Sequence, residues 1–263
     1  SQRHYERGRG MSLVIDSGFT QWDPSLITTA LWLDAADSAT LFTDAGVTPA
    51  SVGSNVQQWN DKSGNARHAT QLTLANQPLY NTNRLTFDTN DLMSVGSALG
   101  TSNQNGFVLA AVASSTSTDS GLIGQDNADV SFWRVRGLNQ LRDVGGTAAP
   151  YSNTFNINDT AIHIVSWIQA GTTIKSQTDG SAVTTLTTSG QSSFQYLTSS
   201  VKIGRRSSEA TNYGNKEIRE LIIVSALCNF SVIEKLEGYL AHKWGLTANL
   251  PSDHPYKVNP PAP

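Results

Sequence analysis

The sequence predicts an all-β fold, an antiparallel two-sheet jelly-roll sandwich with one α-helix late in the chain. Its 263 residues include 30 serines and 27 threonines, and these residue types favour strands and turns over helices. About ten short segments alternate apolar and polar residues between turn residues, a pattern typical of antiparallel sandwiches. Only one segment, near the C-terminus, has helical periodicity.

The predicted strands cover residues 31–34, 56–59, 84–88, 107–113, 130–136, 161–169, 174–178, 182–186, 201–203 and 217–224. Residues 107–113 are apolar at both parities, which is typical of a buried central strand. In residues 161–169 the isoleucines lie on one face, whereas Val165 and Trp167 lie on the other. Asp179 and Gly180 separate two strands and predict a hairpin with a type I′ turn.

The helix is predicted over residues 231–244. Ser231 is the expected N-cap, because Glu234 follows three residues later and completes a capping box. An apolar stripe recurs at spacings of three and four residues, formed by Ile233, Leu236, Leu240 and Trp244. Gly245 is expected at the C′ position, where a left-handed backbone ends the helix.

The chain is predicted to contain three parts: a basic N-terminal arm over residues 1–25, the jelly-roll domain over 26–250 and a proline-rich strap over 251–263. Arginines give the first ten residues a net positive charge, and prolines recur in the last nine. Such a strap is expected to be extended. The polar N-terminus has no apolar segment, so it does not predict a signal peptide.

Composition excludes several classes of protein. Lys and Arg total 18 against 21 Asp and Glu, so the chain lacks the basic field expected of a nucleic-acid-binding protein. Cys228 is the single cysteine, which excludes an intrachain disulfide and a cysteine zinc site. No apolar run approaches the roughly 18 residues needed to span a bilayer.

Three motifs resemble those of concanavalin A-like (LamG-like) jelly-roll modules over roughly residues 26–257. The motifs are LWLDAAD at residues 31–37, WNDKSGNARHATQ at 59–71 and EGYLAHKWGL at 237–246, continuing to His254-Pro255-Tyr256. The last motif looks most like modules in tailed-phage virion proteins and in surface proteins of environmental bacteria. The resemblance implies a two-sheet jelly roll with a role in adhesion or assembly more than catalysis.

The motif at residues 59–71 also has a structural interpretation. We expect Trp59 to fill the core, while Asp61 and its polar neighbours bond turn amides. His68 could ligate a metal or act as a base, but without a second histidine nearby in sequence a structural hydrogen-bonding role is favoured.

The sequence predicts that the protein is not an enzyme. Glycosidases of this fold need two carboxylates on a common face, and the chain has only six glutamates. Glu217 and Glu220 share a strand but differ in parity, so they are expected to point to opposite faces. No nucleotide-binding loop, nucleophile elbow or zinc-binding helix motif occurs.

The candidate ligand-binding residues are Trp133, Arg134, Arg136 and Arg142. Arginines beside an aromatic ring can stack on sugars or bind acidic groups. The alternative is that Trp133 and Val135 face the core and the arginines are solvated. No cofactor is predicted, although calcium is a possibility at two groups of hard oxygen ligands, namely Asp88, Asn90 and Asp91, and Asp126, Asn127 and Asp129.

The candidate assembly contacts are Arg3, Arg7 and Arg9. They are expected to meet acidic surface on a neighbouring subunit, or else on the domain of their own chain. The functional hypotheses are a virion structural or adhesion module, such as a phage head-decoration or tail-associated protein, a glycan-binding lectin of a bacterial surface, and a glycoside hydrolase. The expected partners are other virion proteins, copies of the chain or glycans, at a virion or bacterial surface, without nucleic-acid binding or membrane insertion.

Overall fold

The computed structural model describes residues 21–88, 90–99, 106–114, 120–125, 132–136, 138–142, 151–152, 157, 159–170, 173–181, 184–186, 200–205, 215–226 and 229–263. Within these ranges the chain forms two antiparallel sheets and one α-helix, so the predicted all-β sandwich is confirmed. No helix in the described part of the chain combines the length and apolar composition needed to cross a membrane.

Eight of the described strands form what we call the back sheet. They are β1 (Leu31–Asp34), β5 (Leu79–Asn81), β6 (Arg84–Phe87), β8 (Gly106–Ser114), β13 (Ile162–Ala170), β14 (Thr173–Thr178), β15 (Thr184–Leu186) and β17 (Lys216–Val224). Their order is β15-β14-β13-β8-β17-β6-β5, and β1 also pairs with β17.

Nine described strands form the front sheet. They are β2 (Leu41–Phe42), β3 (Gln58–Trp59), β4 (Ala69–Thr70), β7 (Met93–Val95), β9 (Ser120–Gln125), β10 (Phe132–Arg136), β11 (Leu138–Arg142), β12 (Tyr151–Ser152) and β16 (Val201–Ile203), in the order β12-β11-β10-β9-β16-β7-β4-β3-β2. All ten predicted strands are present. Seven more were missed, and five of these have only two or three residues, too few to show an alternation.

The two faces of the back sheet bury two separate apolar clusters. Trp59, Phe87, Val165 and Trp167 belong to the inner cluster between the sheets, and each is 0–1% exposed. Ile164, on the opposite face of β13, belongs to an outer cluster beneath the helix. The predicted assignment of faces in this strand is therefore confirmed. Burying a large apolar side chain contributes about 1.5–3 kcal/mol to stability.

A bulge at Arg219 divides β17 into two halves. Residues 216–218 pair with β6 and residues 220–223 pair with β1, and the register with β8 shifts between Ile218 and Glu220. Glu217 pairs with Ala113 and Glu220 with Ala111, so both glutamates lie on the outer face. The prediction of opposite faces is wrong because the extra residue of a bulge reverses the alternation.

The helix α1 spans Phe230–Trp244 and packs on the outer face of the back sheet. Its N-cap is Asn229, whose side chain accepts a hydrogen bond from the backbone N–H of Val232, and not the predicted Ser231. The Ser231 hydroxyl instead donates to Asn229 Oδ1 at 2.7 Å. The predicted end is confirmed, because Gly245 has a φ of 71° in the left-handed region.

The predicted type I′ turn is confirmed by backbone geometry. Asp179 and Gly180 have φ values of 52° and 67°, and the N–H of Ser181 donates to the carbonyl oxygen of Thr178 at 3.0 Å. Both central residues of a type I′ turn need positive φ, which aspartate tolerates and glycine adopts freely.

Residues on both sides of the predicted domain boundaries pack onto α1. Trp22, inside the predicted arm, is 3% exposed and lies in the outer cluster with its ring centroid 6.3 Å from that of Tyr239. The strap is not extended at its start, since two consecutive turns join Pro251 to His254 and His254 to Lys257. Division of the chain at residues 25 and 250 stays a prediction.

Gly204 gives a test of the packing between the sheets. A Cβ at this position would lie 2.4 Å from Cδ1 of Phe87, whereas one at Gly64 would meet nothing within 4 Å, and both residues have a φ near 85°. We expect Gly204→Ala to lower the free energy of unfolding by about 2–4 kcal/mol and Gly64→Ala by about 1 kcal/mol. Urea denaturation measures both, and equal losses would contradict the packing.

Candidate functional site

The outer face of the back sheet has a covered end and an open end. The covered end lies beneath α1 and carries Glu220, which is fully buried. Glu220 Oε1 accepts hydrogen bonds from Trp32 Nε1 at 2.8 Å and from the Tyr239 hydroxyl at 2.9 Å. Its Oε2 accepts from Trp244 Nε1 at 3.0 Å and lies 2.7 Å from Lys243 Nζ.

Asp34 extends this cluster toward the solvent. Its Oδ2 lies 2.8 Å from Lys243 Nζ and 3.2 Å from Lys62 Nζ, and Lys62 also lies 2.8 Å from Asp37 Oδ2. Lys62 Nζ stands 4.7 Å from the centroid of the Trp32 ring. Burial raises the pKa of Glu220 and repulsion from Asp34 adds to that shift, whereas Lys243 and the ring N–H of Trp32 oppose it.

We call these residues, Glu220, Asp34, Lys62, Lys243, Trp32, Tyr239 and Trp244, the Glu220 cluster. It joins three segments that the sequence analysis singled out as motifs, at residues 31–37, 59–71 and 237–246. Because every charge in the cluster is paired and the glutamate is shielded from solvent, the arrangement supports the fold and offers no group to a ligand.

The second motif folds around Asp61, as predicted. Asp61 Oδ1 accepts hydrogen bonds from the backbone N–H groups of Trp32 and Ser63, and its Oδ2 accepts from that of Arg67. His68 Nδ1 accepts from the N–H of Asp61 at 3.1 Å. The structural hydrogen-bonding role of this histidine is therefore confirmed.

The open end of the same face carries a cavity of about 350 Å³, which we call the outer-face pocket. It is lined by Thr86, Asp88, Ala113, Thr160, Asn215, Lys216 and Glu217. Strand register creates this set, because Thr86, Glu217 and Ala113 are directly paired across β6, β17 and β8. The residues were not grouped from the sequence, since they come from distant segments.

Glu217 is held in place by two arginines. Its Oε1 accepts a hydrogen bond from Arg84 Nε at 2.8 Å, and its Oε2 accepts from Arg219 Nη2 at 3.1 Å. The Glu217 side chain keeps 31% of its surface exposed. A carboxylate fixed in this way is a pre-oriented acceptor for the hydroxyl groups of a ligand, since each oxygen retains a further lone pair.

The remaining lining groups are suited to the same chemistry. Thr86 and Thr160 bring hydroxyl groups, Asn215 brings an amide, and Ala113 adds a small apolar surface. Asp88 supplies a second carboxylate, whose Oδ1 accepts from the N–H of Asn90 at 3.3 Å. Hydroxyl, amide and carboxylate groups around a small apolar surface suit a polyhydroxylated ligand.

The predicted ligand-binding residues lie on two neighbouring strands of the front sheet. Trp133, Arg134 and Arg136 belong to β10, and Arg142 ends β11 opposite Phe132. Pairing of these strands brings their backbones together, but their side chains lie outside the described part of the structure. Ligand binding by these four residues stays a prediction, and so do contacts by Arg3, Arg7 and Arg9, which precede the described residues.

One of the two possible calcium groups is described, and its carboxylates bind turn amides. Asp91 Oδ2 accepts from the N–H of Asp88 at 3.0 Å. Burial raises the pKa of Asp91 to about 6 and lowers that of the nearby Lys216 to about 7. Within the described ranges no group of three or more His, Cys, Asp or Glu side chains is arranged to hold a metal. Asp126, Asn127 and Asp129 lie outside them.

Solved structures share the fold at low sequence identity. A sialidase from Trypanosoma rangeli in complex with sialic acid is 17% identical with a TM-score of 0.52, and the match covers 80% of this chain and 36% of that one. The binding domain of Paraclostridial Mosquitocidal Protein 1 is 10% identical with a TM-score of 0.55, covering 78% and 53%. A botulinum neurotoxin serotype D binding domain is 14% identical with a TM-score of 0.52, covering 80% and 50%.

These similarities extend to the β-sandwich fold alone, and the chain spans between a third and about half of the matched structures. No protein-family model and no curated protein matches the chain. The LamG-like resemblance therefore stays a prediction, whereas the sandwich that it implied is present.

Glu220 and Glu217 form a matched pair for testing the two ends of the sheet face. We expect Glu220→Gln to lower the free energy of unfolding by about 3–5 kcal/mol, because it removes one of the two carboxylates that pair with Lys243 and leaves Asp34 to pair with both lysines. Glu217→Gln makes the same chemical change at the open end and should cost less than about 1 kcal/mol. Equal losses in chemical denaturation would show that the Glu220 cluster does not carry this stability.

Proposed function

We propose that this chain is a non-catalytic binding module whose outer-face pocket holds a polyhydroxylated ligand, with glycans as the favoured class. The observation that carries the proposal is the carboxylate of Glu217, fixed by Arg84 and Arg219 at the open end of a rigid sheet. Rigid polar groups lose little conformational entropy when a ligand binds.

The names of the matched structures support a binding role. Two of them are binding domains, one of a mosquitocidal protein and one of a botulinum neurotoxin, and the sialidase is in complex with sialic acid. At their level of identity they support the type of function and not a particular ligand. We therefore assign the ligand class from the lining groups of the pocket.

A glycosidase is disfavoured by what surrounds the carboxylates. Glycoside hydrolysis needs one carboxyl group as acid and a second as nucleophile or base, both facing the substrate. Glu220 is on the same face as Glu217, but it lies under α1 and binds three side-chain N–H or O–H donors and Lys243. Both oxygens of Glu217 already accept hydrogen bonds from guanidinium groups, and Asp88, the second carboxylate of the pocket, accepts from the backbone N–H of Asn90.

A glycan array with the intact chain tests the binding proposal. We expect Glu217→Gln to weaken binding of the selected glycan about tenfold or more, because a ligand hydroxyl loses a charged acceptor. The control is Asp44→Asn. It changes a surface carboxylate that is distant in sequence from all of the pocket residues.

The array also distinguishes the alternatives. Loss of binding in Trp133→Ala or Arg136→Ala, with Glu217→Gln unaffected, would move the site to the front sheet. Absence of binding to any glycan would contradict the proposed ligand class. Release of sugar products, abolished by Glu217→Gln, would contradict the absence of catalysis.

We further propose that the module acts at a virion surface, as a head-decoration or tail-associated protein, with a bacterial surface lectin as the alternative. Support comes from the motif at residues 237–256, which resembles virion modules. Antibodies raised against the chain should label phage particles purified from the source culture. Labelling confined to the envelope of phage-free cells would favour the bacterial surface instead.

A further inference from the structure

A second cavity, of about 320 Å³, opens where the strap crosses the start of α1. We call it the strap pocket. It is lined by Gln177, Gly180, Ser181, Phe230, Glu234, Pro251, Asp253, His254 and Pro255. Its walls therefore come from the β14–β15 turn, the first turns of the helix and the strap, and none of them belongs to the outer-face pocket.

The strap pocket combines an exposed aromatic ring with two carboxylates that have no partner among the described residues. Phe230 keeps 44% of its surface exposed. Among the described residues, neither Glu234 nor Asp253 has a hydrogen bond or an ion pair, and no lysine or arginine lines the cavity. An aromatic face beside two carboxylates favours a cation, above all a planar guanidinium, which stacks and forms paired hydrogen bonds.

A third carboxylate lies behind the wall of the pocket. Glu237 is 1% exposed, and its Oε2 lies 3.4 Å from Nε2 of His254, which forms part of the wall. Its Oε1 is buried without a hydrogen-bond partner. Burial raises the pKa of Glu237, His254 opposes that shift, and repulsion from Glu234 and Asp179 adds to it. The carboxylates in and behind the pocket therefore repel one another, and a cation bound between them relieves that repulsion.

The positive end of the helix dipole offsets the negative charge of these carboxylates only in part. The N-terminus of a helix is equivalent to about half of a positive charge, and Asn229 already accepts a hydrogen bond from one of its free N–H groups. Two full negative charges at Glu234 and Asp253 outweigh it, so the pocket stays attractive to a cation.

We propose that the strap pocket binds an arginine side chain from residues 1–20 of the same chain. Arg3, Arg7 and Arg9 give this segment its positive charge. The sequence leaves two contact partners open for these arginines, a neighbouring subunit and the domain of their own chain. The geometry points to the domain of their own chain.

The anchor at Trp22 supports binding within one chain. Lys235 Nζ lies 5.8 Å from the centroid of the Trp22 ring, so the described chain begins beside the helix that lines the pocket. Phe230 stands five positions before Lys235 in α1, a distance of about 7.5 Å along the axis. The 12 residues between Arg9 and Trp22 can span about 40 Å. A short tether of this kind gives an effective concentration in the millimolar range.

Trypsin cleavage of the intact chain tests the proposal, because trypsin must reach the arginine that it cuts after. We expect the double variant Glu234→Gln, Asp253→Asn to be cleaved after the bound arginine about fivefold faster than the natural sequence. Molar salt should remove the difference, because it shortens the screening length to about 3 Å. Mass spectrometry of the released N-terminal peptides identifies which of Arg3, Arg7 and Arg9 is protected.

The double variant Asp44→Asn, Asp119→Asn removes two negative charges elsewhere in the chain, neither of them among the described residues that line the two pockets, and is the matched control. Equal acceleration in this control would overturn the proposal, and so would identical cleavage of the natural and Glu234→Gln, Asp253→Asn chains when both show the same circular dichroism. Protection that disappears on dilution would overturn the assignment to the same chain. Phe230→Ala should give an intermediate rate, since it removes the ring and keeps both carboxylates.

Discussion

The fold depends on satisfying one buried carboxylate. Glu220 projects from the middle of a sheet into an apolar cluster, where an unpaired charge would cost several kcal/mol. It is stable there because Trp32, Tyr239, Trp244 and Lys243 converge on its two oxygens. These partners come from β1, the first described strand, and from α1, so the requirement of a single side chain fixes the position of α1 on the sheet.

The bulge at Arg219 determines what the rest of that sheet face can do. It lies where β17 exchanges β6 for β1 as its neighbour, and it turns Glu217 to the same face as Glu220. One glutamate is then buried under the helix, while the other stays exposed between two arginines. A covered, stabilising end and an open, polar end thus arise from one irregularity in one strand.

The helix has a similar division of roles along its length. Its C-terminal half supplies Tyr239, Lys243 and Trp244 to the Glu220 cluster. Its N-terminal half carries Phe230 and Glu234 to a second cavity that the strap completes. Both proposed binding pockets therefore border elements that the Glu220 cluster holds in place. A sandwich scaffold can position groups for recognition in this way without itself determining the ligand.

Local patterns in the sequence determined the strand faces of Val165 and Trp167, the turn at Asp179 and the end of the helix at Gly245, because each depends on the nearest few residues. Tertiary structure alone decided that Glu217 and Glu220 share a face, since alternation is lost at a bulge that only the neighbouring strands impose. It also decided which polar residues line each pocket, because strand register and helix packing join segments far apart in the chain, and the sequence pattern of any one segment carries no information about its neighbours across the sheet.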